Sequence, residues 1–188
     1  FDCELELITI DKKVKLKDGT TIAPNKVVFT GKSQKLINKK TVNYNSVKTF
    51  YFNSSVIPDY SHYIHIFPQE AYINNIAFLT SIAGGYSKNN DSLLSVSIIK
   101  ENNISDSKLI THIKDRLKNI YGGEFNFLKS FNIKQATIKQ PAQYFDQKYN
   151  LSINDRYYLA GDNLIHGSIE GAAISGIKVA EELKHFFS

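Results

Sequence analysis

The sequence predicts an α+β protein: a mostly antiparallel sheet with one helix, flanked by a β-rich N-terminal segment and a C-terminal strand, loop and helix. Three observations predict it. Apolar and polar residues alternate over short runs through the N-terminal half, as half-buried strands require. Leu109, Ile110, Ile113, Leu117 and Ile120 form a stripe at helical spacing between Ser105-Asp106 and Gly122-Gly123. A short apolar strand, Arg156 to Ala160, runs into Gly161-Asp162, a loop, and a long helix that begins near Ser168.

Taken in order, Glu4 to Ile10 and Lys13 to Lys17 alternate, and Asp18-Gly19 supplies turn chemistry. Thr20 to Ile22 returns, Pro24-Asn25 turns again, and Lys26 to Gly31 is a continuous apolar strand of the kind buried on both faces. Up to Gly31 the chain reads as a β-meander. Lys32 to about Asn43 is polar and weakly helical, which places a boundary there. Four apolar runs follow, Val47 to Phe52, Tyr63 to Phe67, Ile76 to Ala83 and Leu93 to Ile99, each read as a strand. Pro58-Asp59, Pro68, Gly84-Gly85 and Asn89-Asn90-Asp91 separate or flank these runs. Phe131 to Ile138 reads as a further strand, and Pro141 starts an irregular connection. The expected organisation is therefore a meander over 1–43, a sheet-and-helix lobe over 44–148, and a strand, loop and helix over 149–188. On the last helix Ile169, Ala172, Ala173, Gly176, Ala180, Leu183 and Phe187 form the expected packing face.

Composition narrows the class. Hydrophobic residues make up 42% and charged residues 22% of the 188, as in ordinary globular proteins. No apolar run approaches the roughly 18 residues that span a bilayer, so no membrane span is expected. Phe1-Asp2-Cys3-Glu4 has neither part of a signal peptide, and Met is absent, so the chain is expected to begin inside a longer gene product. A lone Cys3 forms no internal disulfide and no cysteine-based zinc site, which points to a reducing compartment or to indifference; a cytoplasmic setting is expected. The net charge of +5 raises a basic nucleic-acid-binding domain as an alternative. Lys12, Lys13, Lys15, Lys17, Lys26, Lys32, Lys35, Lys39, Lys40 and Lys48 are spread over strands and turns without any recognition motif, so no nucleic acid is expected. His62 and His65 would point to opposite faces of a regular strand, so no metal pair is expected. His166 reads as a loop histidine. Tyr44, Tyr51, Tyr63, Tyr72 and Tyr86 read as core aromatics of the middle lobe.

The chemistry concentrates in the last segment. A strand ending at Gly161-Asp162, then a helix opening Gly167-Ser168-Ile169-Glu170-Gly171-Ala172-Ala173, is a receptor for an anion or an electron-rich carbonyl. First-turn N–H groups lack intrahelical partners, and the helix dipole adds positive potential there. Small residues allow close approach. Physics alone leaves the ligand open, and a plain β–α joint fits the same residues.

Leu159-Ala160-Gly161-Asp162, Gly167-Ser168-Ile169-Glu170-Gly171-Ala172, Ser175-Gly176 and Ala180 resemble the C-terminal flavin motif of the flavin amine oxidase superfamily. That superfamily includes protoporphyrinogen oxidase and phytoene-desaturase-like enzymes. Lys17 to Ile22 and Asn25 to Gly31 resemble the hairpin and strand that precede its substrate domain, although the strand here ends Phe29-Thr30-Gly31 instead of Ala-Thr-Pro. The resemblance implies FAD as cofactor, hydride transfer from a small or hydrophobic substrate, and amine-oxidising or desaturase-like chemistry. Asp162 stands where many amine oxidases have Glu, which leans toward the desaturase-like members. Gly161 and Asp162 are implied to meet the ribityl or pyrophosphate part. Ser168, Ile169, Gly171 and Ala172 are implied to bring the helix end toward the flavin pyrimidine edge. Segments 1–43 and 149–188 then belong to a two-part FAD-binding lobe, and 44–148 to a substrate lobe.

The superfamily's adenosine-binding βαβ unit carries Gly-x-Gly-x-x-Gly, and no such motif occurs in this sequence. The expectation is a C-terminal portion that lacks its Rossmann half, has an N-terminal dinucleotide-binding portion as its partner, and does not retain FAD or activity alone. A non-catalytic interaction domain that keeps this scaffold is the rival reading. No catalytic acid or base is assigned.

Overall fold

The computed structural model describes residues 4–9, 12–37, 43–87, 89, 91–99, 103–141 and 150–186. Cys3, Lys39, Lys40, Asn90 and Phe187 lie outside the described residues. The chain divides into two compact units, one built from Phe1–Asn43 with Thr137–Ser188, the other from Tyr44–Ala136.

In the first unit, alternation produces β1 (Leu5–Ile8), β2 (Val14–Leu16) and β3 (Thr21–Ile22), an antiparallel meander with Val14 opposite both Ile8 and Ile22. Gly19 takes a φ of 89° in the β2–β3 turn, where a β-carbon would be strained. The Thr20 N–H donates to Asp18 at 2.8 Å and holds that carboxyl below its usual range. β4 (Val27–Thr30) leaves the meander, contrary to the sequence reading. It pairs in parallel with β10 (Tyr157–Ala160), Val27 opposite Tyr157 and Thr30 opposite Ala160. Nor is it buried on both faces: Phe29 is 2% exposed, but Val28 is 40% exposed. A continuous apolar run signals double burial only when the sheet and its layers continue, and among the described residues β4 pairs with β10 alone.

The Arg156 guanidinium donates to the carbonyls of Lys12 (2.9 Å) and Pro24, fastening the meander's turns to the start of β10. Behind the strand pair lies α3 (Ile169–Lys184). Its buried face is Gly171, Ser175 and Val179, with Leu183 packed against Leu151, Tyr158 and Ala160. The expected face is thereby corrected, because Ile169, Ala172, Ala173, Gly176 and Ala180 are exposed. Alanine and glycine carry too little apolar area to fix a helix's rotation, so the single Val179 and the buried Ser175 hydroxyl decide it.

In the second unit, a five-stranded sheet runs in the order β6 (Ile64–Ile66), β7 (Asn75–Phe78), β8 (Ser92–Ile98), β5 (Tyr44–Ser54), β9 (Asn126–Ile138). The β6–β7, β7–β8 and β8–β5 pairs are antiparallel, with Phe50 opposite Val96 and Ile76 opposite Val96. α2 (Asp106–Tyr121) buries Leu109, Ile113 and Leu117 against Phe50, Phe52, Ile76, Phe78 and Leu94. Gly122 ends it at φ 72°, its N–H donating to the Lys118 carbonyl at 2.9 Å. The Ser105 hydroxyl makes no capping bond and instead lies 3.1 Å from that of Ser107.

Two expected strands change. The run Ile76 to Ala83 breaks after Phe78 into a one-turn helix, α1 (Leu79–Ile82), because the Thr80 hydroxyl accepts the Leu93 N–H at 3.1 Å and folds the segment over the start of β8. β9 begins at Asn126, well before Phe131, because Phe127 packs on Phe50 and Phe52 with ring centroids 6.4 and 5.7 Å away.

Candidate functional site

The site candidates gather where β4 and β10 end side by side. β4 runs into Gly31 (φ 50°) and a 3-10 helix, Gly31–Ile37; β10 runs into Gly161 (φ 154°) and a 3-10 helix, Asp162–Leu164. An amide pair joins the two turns. Asn163 Nδ2 donates to Gln34 Oε1 at 3.0 Å, Gln34 Nε2 lies 3.4 Å from Asn163 Oδ1, and Gln34 is 8% exposed. A β-carbon at Gly161 would come within 2.6 Å of Asn163 Oδ1, so the side-by-side turns require glycine there.

A second link ties the strand end to the helix. The Gly161 N–H donates to Ser175 Oγ at 2.8 Å, and the Ser175 hydroxyl donates to the Ala172 carbonyl at 2.7 Å. The first turn of α3 can then be accounted for donor by donor. Ser168 N–H goes to the His166 carbonyl (2.7 Å), and Gly171 N–H goes to Ser168 Oγ (2.9 Å), an N-cap. Ala172 N–H makes the first helical bond to the Ser168 carbonyl at 3.0 Å. The N–H groups of Ile169 and Glu170 have no hydrogen bond among the described residues. Ile169 is 93% exposed, so two free donors stand at the positive end of the helix.

The loop before α3 is fixed by contact. A β-carbon on Gly171 would lie 2.0 Å from the His166 carbonyl oxygen, and one on Gly167 would lie 2.7 Å from Ile138 Cγ1. Gly167 N–H donates to Gln140 Oε1 at 2.8 Å, and His166 Nδ1 lies 2.8 Å from Ser168 Oγ. Of the six residues singled out in the sequence, Gly161, Ser168 and Ala172 are joined by this hydrogen-bonded chain around α3's first turn. Asp162 is half-buried beside Gly161, Ile169 is exposed, and Gly171 is buried against His166. Sequence reading missed Gly31, Gln34, Asn163 and Gln140. Asn163 follows Gly161-Asp162 directly and could have been flagged; Gln34 and Gln140 have no local signal.

Elsewhere several polar residues considered in the sequence have partners. His65 engages the Tyr121 hydroxyl through Nδ1 and lies 3.1 Å from the Tyr60 carbonyl through Nε2, while burial pushes the Tyr121 phenol upward. His62 lies against Tyr63, ring centroids 4.1 Å apart. Among the described residues no three His, Cys, Asp or Glu side chains are grouped as a metal would require. Lys15, Lys17 and Lys48 pair with Glu6, Glu4 and Asp106 at 2.9, 2.6 and 2.9 Å. No helix among the described residues is long and apolar enough to cross a membrane.

No family model matches this chain, and no curated protein matches it. Solved structures do, and they share an α+β fold with this chain. An oxidoreductase from Methanosarcina mazei matches with a TM-score of 0.67 at 15% identity, over 95% of this chain and 49% of its own. A protein from Pyrococcus furiosus matches with a TM-score of 0.67 at 15% identity, over 97% of this chain and 46% of its own. Reduced UDP-galactopyranose mutase matches with a TM-score of 0.65 at 12% identity, over 85% of this chain and 41% of its own. The likeness is one of fold, and the chain spans less than half the length of each of these structures.

Proposed function

We propose that this chain supplies the flavin-facing strand, loop and helix, with a substrate-side sheet, of an FAD-dependent oxidoreductase whose dinucleotide-binding portion lies outside these residues. One observation carries the reading: a parallel pair, β4 and β10, whose strands both end in glycine ahead of a capped helix with two free N–H donors. Parallel strands occur in larger buried sheets, and a two-stranded sheet alone is marginal in water. The strands of a βαβ unit would extend it, and ligands of such sheets bind beyond the carboxyl ends of the strands. The fold shared with larger solved structures, and the resemblance of Leu159 to Ala180 to the superfamily motif, support the same reading.

The donor set fits the group. Ile169 and Glu170 would offer N–H groups to the electron-rich pyrimidine edge, with Ser168 holding the turn and exposed Ala172 leaving room. Gly171 acts at one remove, by letting the His166 loop close on the helix. Gly161 and Asp162 sit at the strand end, where the Asp162 carbonyl accepts the Ile165 N–H at 3.3 Å and its carboxylate would accept from ribityl hydroxyls. When bound, flavin would supply the redox chemistry, hydride acceptance from a small or hydrophobic substrate of the amine or desaturase-like kind, and the Tyr44–Ala136 unit would serve as the substrate lobe.

The test is spectroscopic. The coding region upstream of Phe1 should encode a strand followed by Gly-x-Gly-x-x-Gly, and the longer protein should purify yellow with FAD, while this chain alone should be colourless. A stoichiometric yellow preparation of this chain alone would overturn the half-site. A longer protein that carries the motif but binds no flavin would overturn the flavin assignment.

A further inference from the structure

β9 is one edge of the second unit's sheet, and among the described residues β5 is the strand it pairs with. Natural edge strands are commonly short, interrupted by proline or covered, because their outward N–H and C=O groups offer pairing to another strand. β9 runs for 13 residues without proline, and every residue from Phe131 to Gln135 is exposed. Leu128, Phe131 and Ile133 are 51%, 47% and 48% exposed, so the free edge is also apolar. Phe131 packs edge-on against Tyr51 at 5.9 Å between ring centroids, and Lys129 Nζ lies 4.9 Å from the Phe131 centroid. Ile133, two positions on, stands on the same face as Phe131.

The order of side chains along this edge selects its occupant. About a two-fold axis normal to the sheet, a strand pairs antiparallel with its own copy, and directly opposite residues share a face. With the axis at Asn132, Phe131 meets the partner's Ile133, and Ile133 meets the partner's Phe131. An aromatic ring opposite a β-branched side chain is a favourable cross-strand pair, and the symmetry makes it twice. In the same register Lys129 meets the partner's Gln135, Lys134 meets the partner's Ser130, and Leu128 meets the partner's Ala136. No lysine faces a lysine or an apolar residue. An axis at Phe131 would set Lys129 against the partner's Ile133 and Lys134 against the partner's Leu128. An axis at Ile133 would leave Phe131 opposite the partner's Gln135. We propose that this chain self-associates through Leu128–Ala136 of β9, antiparallel about Asn132, so that two sheets continue as one. A single strand pair is a contact of the small, transient class, below about 1,200 Å², so the dimer forms in a concentration-dependent way.

The experiment has two arms. Sedimentation of the unaltered 188-residue chain should show a dimer whose share rises with concentration. Ile133→Lys sets a lysine against the partner's Phe131 on both sides of the axis and should weaken association about tenfold. The register is read by oxidation in a Cys3→Ser background, where an introduced cysteine is the only thiol. Asn132→Cys stands opposite its own copy, at the roughly 4.5–5.5 Å between Cα atoms that a disulfide can span, and should cross-link. Gln135→Cys, about 20 Å from its own copy, should not. A monomer at every concentration would overturn the proposal and leave the edge to a different chain. A dimer untouched by Ile133→Lys, or equal cross-linking at positions 132 and 135, would overturn it as well. The sedimentation arm needs no variant, so it stands even if a substitution disturbs the fold. No flavin is involved, so this test and that of the flavin reading fail independently.

Discussion

In the Tyr44–Ala136 unit, α2 covers one face of a five-stranded sheet over a core that includes Phe50, Phe52, Phe78, Leu94, Leu109, Ile113 and Leu117, all at 0% exposure. In the other unit, the parallel pair β4–β10 meets α3 over Leu151, Tyr158, Ala160 and Val179, and Val28 on β4 stays 40% exposed. Both regions use a sheet and a helix, yet one core closes on itself and the other stops short. Edges left open in a sheet invite continuation. The comparison sets a large, deeply buried core beside a smaller one whose strand pair keeps an exposed apolar residue.

The largest effect that could break this contrast comes from the cores. Leu117→Ala or Phe52→Ala should cost about 3–5 kcal/mol and Val179→Ala roughly 2 kcal/mol, read by hydrogen exchange resolved for each unit. Similar losses at all three would show that the two cores are equally closed. Next comes Gly171→Ala, whose β-carbon would collide with the His166 carbonyl. A loss of roughly 1–3 kcal/mol is expected, with reduced protection in α3 and β10 and none in α2. An unchanged spectrum around His166 would refute the packed loop. Ser168→Ala removes the cap from Gly171 N–H and should cost about 1 kcal/mol, confined to the first turn of α3.

The smallest effect lies on the surface of the closed unit. Lys118 at 2.6 Å holds the Glu124 carboxyl below its ordinary value. A lowered folded value stabilises above the ordinary glutamate range, and that contribution disappears as pH falls through the lowered value. Glu124→Gln should flatten the acid limb of the stability curve slightly, and an identical limb would show the pair to be inert.

Local signals made much of this fold legible. The stripe Leu109, Ile113, Leu117 with Gly122 behind it predicted α2, and the alternation around Asp18-Gly19 predicted the β2–β3 hairpin. The strand ending at Gly161 and the helix from Ser168 were equally readable, because turn chemistry and capping act over a few residues. Long-range pairing was not. Nothing near Val27 announces that its partner is Tyr157, and nothing near Gln34 announces Asn163, 129 positions away. The rotation of α3 was misread for a related reason: Ala172, Ala173, Gly176 and Ala180 say little about which side is covered, and the deciding neighbours, Leu151 and Tyr158, belong to other segments.

The pairing of Val27 with Tyr157 also sets an order in time. During synthesis, β4 emerges well before β10, and the whole Tyr44–Ala136 unit is made between them. Among the described residues the β4 apolar run Val27-Val28-Phe29 has no sheet partner until Ala160 has left the ribosome. A nascent chain stalled before that point would carry β4 without β10, an apolar strand missing a neighbour and open to capture by a chaperone.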